Sequence, residues 1–332
     1  MVKKDAKQTM ENINIKDVKS EDGFSNYLYG MIKIKNNNFG LFNADFFHQP
    51  RQIISENKIY STDKAIKYLI RKYMVEELQR NVFVWRRSKF NIISNKQEIE
   101  GNDSEAKEQK KEKGLNEQYF SQKDIFDLIS EKLEGKSNNP CEILLSCTDV
   151  RLFGCTYTGS SNLALAGPMQ ISYGIGDCKN KVTKDQIMSY FVTGEGKSKK
   201  PTPTLGEQTR TKEAEYTFFF VFNPKTILNT LKSKGVNTIN NKNIDEYNSL
   251  TTIQDIKDFS ESIRFLSLMA TQSASKNGFF TSEFKVIKSN IPIQNITYQE
   301  DDFTSNSIDL LSDEGLNKLV QNSKTETNSG GE

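Results

Sequence analysis

"NYLYGMIKIK", Asn26–Lys35, and "YTFFFVF", Tyr216–Phe222, decide the fold class. In a strand successive side chains point to opposite faces. The first stretch puts Leu28, Gly30, Ile32 and Ile34 on one face and Tyr27, Tyr29, Met31, Lys33 and Lys35 on the other. The second is apolar on both faces, the pattern of a strand in the middle of a sheet. Working outward, the period changes from two to that of a helix. From about Thr62 to Arg80, Ala65, Ile66, Leu69, Ile70, Tyr73 and Met74 form a core-facing stripe, and Ser61, Thr62 and Asp63 are competent N-caps. From Asp255 to about Ala274, Ile256, Phe259, Ile263, Leu266 and Ala270 recur three and four apart, and Gln122 to Leu133 reads as a short amphipathic helix.

Further strands are expected at "NVFVW" (Asn81–Trp85), "GPMQISYG" (Gly167–Gly174) and "TSEFKVIKSNIP" (Thr281–Pro292). "CEILLSCTDVRLFGCTYT", Cys141–Thr158, reads as one bent strand or a strand pair. The order is then strand, helix, strand, strand, strand, helix, strand. That is an α+β pattern close to the split βαβ, ferredoxin-like arrangement, whose helices cover one sheet face and leave the other free. RNA-recognition modules use that free face. Within "TDVRLFG", Thr148–Gly154, a strand would put Asp149, Arg151 and Phe153 on one side. Arg151 then either holds an RNA phosphate, oriented by Asp149, or belongs to a structural ion pair capping the sheet.

The chain has 332 residues, enough for one large domain or two smaller ones. Its apolar fraction of 35% and mean hydropathy of −0.64 are low for a compact enzyme and point to long polar insertions. Two are visible, Ser94–Gln118 and Asp177–Lys212, besides an irregular stretch from Asn36 to Tyr60. The net charge of +2 conceals segregation: basic clusters lie mid-chain, whereas Glu300, Asp301, Asp302, Asp309, Asp313 and Glu314 make the end acidic. The four cysteines, Cys141, Cys147, Cys155 and Cys178, have no CxxC spacing and the only histidine is His48, so no metal site and no cofactor is expected. The N-terminal stretch has no apolar core and no run approaches a membrane span, so a cytoplasmic chain without a membrane partner is expected.

Four motifs carry a resemblance: "FNADF" (Phe42–Phe46), "STDKAIKYLIRKY" (Ser61–Tyr73), "CTDVRLFGCTYTGSSNLALAGPMQISYG" (Cys147–Gly174) and "TPTLGEQTRTKEAEYTFFFVFNP" (Thr202–Pro224). In this order they resemble the type I-B backbone subunit of the CRISPR Cascade complex, the seventh-numbered group of CRISPR-associated (Cas) proteins. The resemblance spans roughly Tyr29 to Pro224; Ser94–Gln118 and the acidic end do not carry it. It implies an RRM-like palm over residues 22–300, helical fingers inserted at about 86–140, a thumb hairpin at 177–212, and an acidic tail at 301–332. It also implies a non-catalytic protein. Its copies would polymerise along one CRISPR RNA, beside other Cascade subunits, and present the spacer for pairing with a target DNA strand.

The residues themselves point to a matching surface. Lys64, Lys67 and Arg71 fall at i, i+3 and i+7 of the first helix, one basic stripe beside the apolar one. The helix start at Ser61–Thr62 offers free N–H groups and the positive dipole end to a phosphate. Asn43, His48 and Arg51 in the preceding stretch, Arg151 and Gln170 on strands, and Lys199, Lys200 and Arg210 in the thumb complete the expected RNA-binding set. Two rival functions stand beside it. One is a type III-like backbone ribonuclease cleaving target RNA with Asp45, although "FNADF" matches the type I pattern and no glycine-rich loop surrounds that aspartate. The other is a generic single-stranded RNA-binding protein.

Overall fold

In the computed structural model the residues described are 23–37, 40–47, 49–92, 115–133, 139–159, 162–177, 182–193, 202–270 and 276–321. In chain order the first elements are β1 (Tyr27–Asn36), β2 (Gln52–Ile53), β3 (Lys58–Ser61), α1 (Asp63–Glu76), β4 (Ser88–Ile92) and β5 (Leu115–Tyr119). There follow α2 (Gln122–Lys132), α3 (Pro140–Leu145), α4 (Thr148–Phe153), β6 (Gly154–Thr158), β7 (Asn162–Ala166), β8 (Met169–Ile171), β9 (Gly174–Gly176), β10 (Val182–Thr193) and β11 (Thr202–Thr211). The last are β12 (Ala214–Phe222), α5 (Thr226–Ser233), β13 (Thr238–Ile239), β14 (Lys242–Asn243), α6 (Ile253–Arg264), α7 (Leu266–Met269), β15 (Phe279–Ser289), β16 (Ile308–Asp309) and α8 (Asp313–Gln321).

The principal sheet runs β16-β15-β1-β12-β9-β3-β2, with β8 also paired to β12, and every pairing in it is antiparallel. As its two-sided apolar pattern requires, β12 is interior, between β1 and the short β8 and β9. Gly30 stands opposite Phe220, and a Cβ there would lie 2.1 Å from the Phe220 ring, so the phenylalanine occupies the space the glycine vacates. On that face Ile32, Ile34, Phe218, Phe220 and Phe284 pack beneath Ile66, Leu69 and Ile70 of α1 and Ile256, Phe259 and Ile263 of α6. Phe220 and Phe259 meet edge to face at 5.4 Å. Each fully buried side chain of this size contributes about 2–3 kcal/mol. A second core joins α2, α3 and the β6–β7 hairpin to α5 and the segment through Leu250, with Phe126 stacked on Tyr157 at 4.6 Å.

Four expectations are corrected. "CEILL" and "TDVRLF" are the helices α3 and α4, not strands. Asn139 caps α3 by accepting the Cys141 N–H at 3.0 Å, with Pro140 at the first helical position. α4 stops at Gly154 (φ +71°), where a Cβ would come within 2.1 Å of the Leu165 carbonyl oxygen. "NVFVW" forms no strand, because its backbone bonds α4 instead: Asn81 O accepts from Thr148 N, and Phe83 N and Val84 N donate to the Asp149 carboxylate. The helices are shorter than their patterns, since α1 gives way to a left-handed Gln79 and the second long pattern breaks at Phe265 into α6 and α7. Residues 301–321, expected to belong to an acidic tail, fold onto the sheet through β16, α8 and the buried Phe303, Leu310 and Leu319.

The face opposite the helices is not left free either. Residues 290–303 cross it as a strap that touches Tyr29, Lys33 and Phe219. Tyr29 Oη accepts the Ile293 N–H at 2.9 Å, Lys33 Nζ reaches Glu300 at 2.6 Å and Glu283 at 3.1 Å, and Phe303 stacks on Phe219 at 5.9 Å. Burial opposes the Lys33 charge, but these two carboxylates outweigh it and hold its pKa above the ordinary lysine value.

Candidate nucleic-acid interface

The N-terminal end of α1 is assembled from three segments. β3 delivers Ser61, fully buried, and then Thr62 as the N-cap in extended conformation. Thr62 Oγ1 does not cap its own helix; it accepts a hydrogen bond from Asn43 Nδ2 at 3.0 Å. The loop holding Asn43 is tied back by Arg51, whose Nε donates to Ala44 O at 3.1 Å and whose carbonyl accepts Tyr60 N at 2.9 Å. Asn43, Arg51, Ser61 and Thr62 thus converge around the helix start, where Lys64 is exposed and Asp63 adds a carboxylate to the first turn. In the same loop the Asp45 carboxylate accepts the N–H groups of Phe47 at 2.9 Å and Gln49 at 2.8 Å. It caps its own turn.

The basic stripe divides. Lys64 is exposed, whereas Lys67 bonds Asp63 at 2.9 Å and Arg71 bonds Asp149 at 3.0 Å, both cations also lying over the Phe153 ring. The Asp149–Arg151 question resolves in the same way. On a helix rather than a strand the two side chains leave in different directions. Asp149, fully buried, gathers Arg71 and two backbone N–H groups, while Arg151 makes a fork with Asp255 of α6 at 2.6 and 2.8 Å. Arg151 also donates to Leu145 O at 2.8 Å. Both residues are occupied in holding α1, α4 and α6 together.

The open half of the strap-side face is a groove of about 670 Å³ lined by Tyr173, Ile175, Thr217, Phe219 and Tyr298. Asp177, Glu215 and Glu300 line it against Lys58. Glu215 is paired with Lys35 at 2.8 Å and Glu300 with Lys33, so two of the three acids are balanced by cations.

A family model described as "CRISPR-associated protein Cas7" matches residues 27–296, most of the chain. The chain belongs to the Cas7 family. Curated proteins gave no match. Among solved structures, this Cas7 family member is similar to a chain of "CRISPR RNA-guided surveillance complex, pre-nicking", at 13% identity and TM-score 0.43, covering 89% of this chain and 88% of that one. It is also similar to a chain of "Cryo-EM structure of the Type III-B Cmr-beta bound to cognate target RNA", at 10% identity and TM-score 0.38, covering 80% and 62%. A chain of "CRISPR RNA-guided surveillance complex" gives 10% identity and TM-score 0.35 over 88% and 82%.

The remaining expected contacts of this Cas7 chain are dispersed. Gln170 is exposed on β8 and donates to Gly167 O at 2.8 Å. Arg210 is half-buried near the base of the β10–β11 hairpin, opposite Thr183. His48, Lys199 and Lys200 lie outside the described residues. Among the described residues no group of three His, Cys, Asp or Glu side chains could hold a metal ion, and no helix is long and apolar enough to cross a membrane. Burial raises the Cys147 and Cys155 thiols, the latter to about 12, which keeps both protonated and inert. One aromatic and cationic group was not anticipated: Tyr68, Trp85, Arg86, Tyr119 and Lys276. Its trace in the sequence is "VWRR", Val84–Arg87, an aromatic set directly against two arginines.

Proposed function

We propose that the chain is the RNA-binding backbone subunit of a type I-B Cascade effector. Its copies line one CRISPR RNA in the cytoplasm, beside other Cascade subunits, and hold the spacer for pairing with target DNA. In this reading the principal sheet with α1 and α6 is an RRM-like palm, the α2–α3 module belongs to the fingers, and the β10–β11 hairpin is the thumb. The observation that carries it is the head of α1. There Asn43 engages the N-cap hydroxyl, the helix presents its positive dipole end and Lys64 is exposed, an arrangement that fits a backbone phosphate. The contacts read charge rather than bases, which suits a guide whose spacer varies. Capping of its own turn by Asp45 favours the non-cutting reading over a ribonuclease.

The test is affinity for unrelated single-stranded RNAs over a salt series. Wild type should bind all of them similarly, with log affinity falling linearly as log salt rises. Lys64→Glu should weaken every complex and flatten the slope by about one. Salt-insensitive binding, or preference for one sequence, would contradict the reading. Incubation of RNA with magnesium should give no cleavage by wild type or by Asp45→Ala; cleavage by wild type alone would move the function to the ribonuclease.

A further inference from the structure

Tyr68 lies one turn beyond Lys64 on α1, and its ring is stacked on Trp85 at 5.3 Å with the planes 21° apart. Lys276 places its Nζ 5.5 Å from the Tyr68 ring centre. One residue after Trp85, the Arg86 guanidinium sits 3.5 Å from the ring centre of Tyr119. Tyr68 is 41% exposed and Tyr119 45%, and Val84, just before Trp85, is 45% exposed. Lys276 is held below the ordinary lysine value by burial and by the charge of Lys72. An anion brought here would relieve that repulsion.

Trp85 is partly buried against the principal core, whereas Tyr68 and Tyr119, each beside a cation, stay partly exposed. They match what a single strand of nucleic acid needs: flat faces for bases and positive charge for the phosphates between them. The position matters too, because Tyr68 stands one helical turn along α1 from Lys64, within reach of a strand held there. We propose that Tyr68, Trp85, Arg86, Tyr119 and Lys276 form a base-stacking ledge for single-stranded nucleic acid, continuing the phosphate site at the head of α1. The inference rests on the guide-binding reading and adds to it a contact made with bases rather than with the backbone.

Trp85 is the only tryptophan in the chain, so its emission reports the ledge alone. The full chain would be titrated with a fluorescein-labelled oligouridylate, and anisotropy followed alongside Trp85 emission. The same titration would be run with an abasic ribose-phosphate strand of equal length. The ledge predicts quenching of Trp85 by the base-bearing strand and little by the abasic one. It also predicts roughly a tenfold affinity loss for oligouridylate in Tyr68→Leu, which keeps the apolar bulk, and retention of affinity in Tyr68→Phe. Abasic binding should be unaffected by either substitution. A rise in anisotropy with unchanged Trp85 emission, and with Tyr68→Leu binding as wild type does, overturns the ledge while leaving the guide reading intact. Should Tyr68→Leu instead alter only self-association, the patch is an interface between copies and the stacking assignment is lost. No binding of either strand overturns both readings at once.

Discussion

Asp149 and Lys64 show how differently two charged residues are used within one short reach of the fold. Asp149 is fully buried and accepts from Arg71, Phe83 N and Val84 N. Asp149→Ala would strand two N–H donors and a guanidinium, so it should cost about 3–4 kcal/mol, read as a lower urea midpoint, whatever its effect on RNA. Lys64→Glu should change stability by less than about 0.5 kcal/mol and act only on RNA affinity. The sequence could not separate these roles. A charge stripe at helical spacing shows which residues share a face, but the partners that consume Lys67 and Arg71 are Asp63, next to the stripe, and Asp149, on another helix. The second is invisible until the chain is folded. Lys33 is a third case, since its position on the second face of β1 read as solvent-facing and it is in fact nearly buried between Glu283 and Glu300. Lys33→Met should lower stability by roughly 1–2 kcal/mol, a modest figure because both carboxylates keep contact with water.

At the scale of elements, the Lys33–Glu283 pair between β1 and β15 has a pH window. Glu283 is held below the ordinary glutamate value: burial opposes its charge, but bonds from Lys285 and Lys33 outweigh it. Its contribution is therefore complete above about 4.5 and disappears as pH falls through the lower folded value. Lys33 is shifted upward, so its contribution is complete below about 10.5 and disappears as pH rises through the higher folded value. The stability difference between wild type and Lys33→Met should be flat between those limits and shrink outside both, measured by denaturant unfolding over a pH series. A difference independent of pH would mean that these ion pairs add nothing measurable to stability. The long strands were legible because alternation and two-sided apolarity have one explanation each. "CEILL" and "TDVRLF" were not, because a short apolar run is equally a buried helix, and what makes them helices is the Asn139 cap and the hydrogen bonds that the 81–84 segment donates and accepts.

Across the whole molecule, the β10–β11 hairpin is tied at its base to the loop after β1, where Thr211 and Gly40 exchange backbone hydrogen bonds at 2.8 and 2.9 Å. Replacing the residues between Val182 and Thr211 by a short Gly-Ser linker should therefore leave the palm folded while removing regular stacking of copies on RNA. An unchanged periodic nuclease footprint from that variant would end the thumb assignment. The sequence conveyed the family and the α+β class through blocks spread along the chain, and it located the head of α1 through its caps and basic residues. It did not convey that residues 290–303 cover the second sheet face, because no local pattern records which distant strand a loop will cross. The central claim, a guide-bearing backbone subunit, is tested most directly by sequencing the RNA that copurifies with the chain from the cells that encode it. The account predicts CRISPR transcripts with a shared repeat-derived end and many different spacers; RNA of unrelated origin, or none, would contradict it.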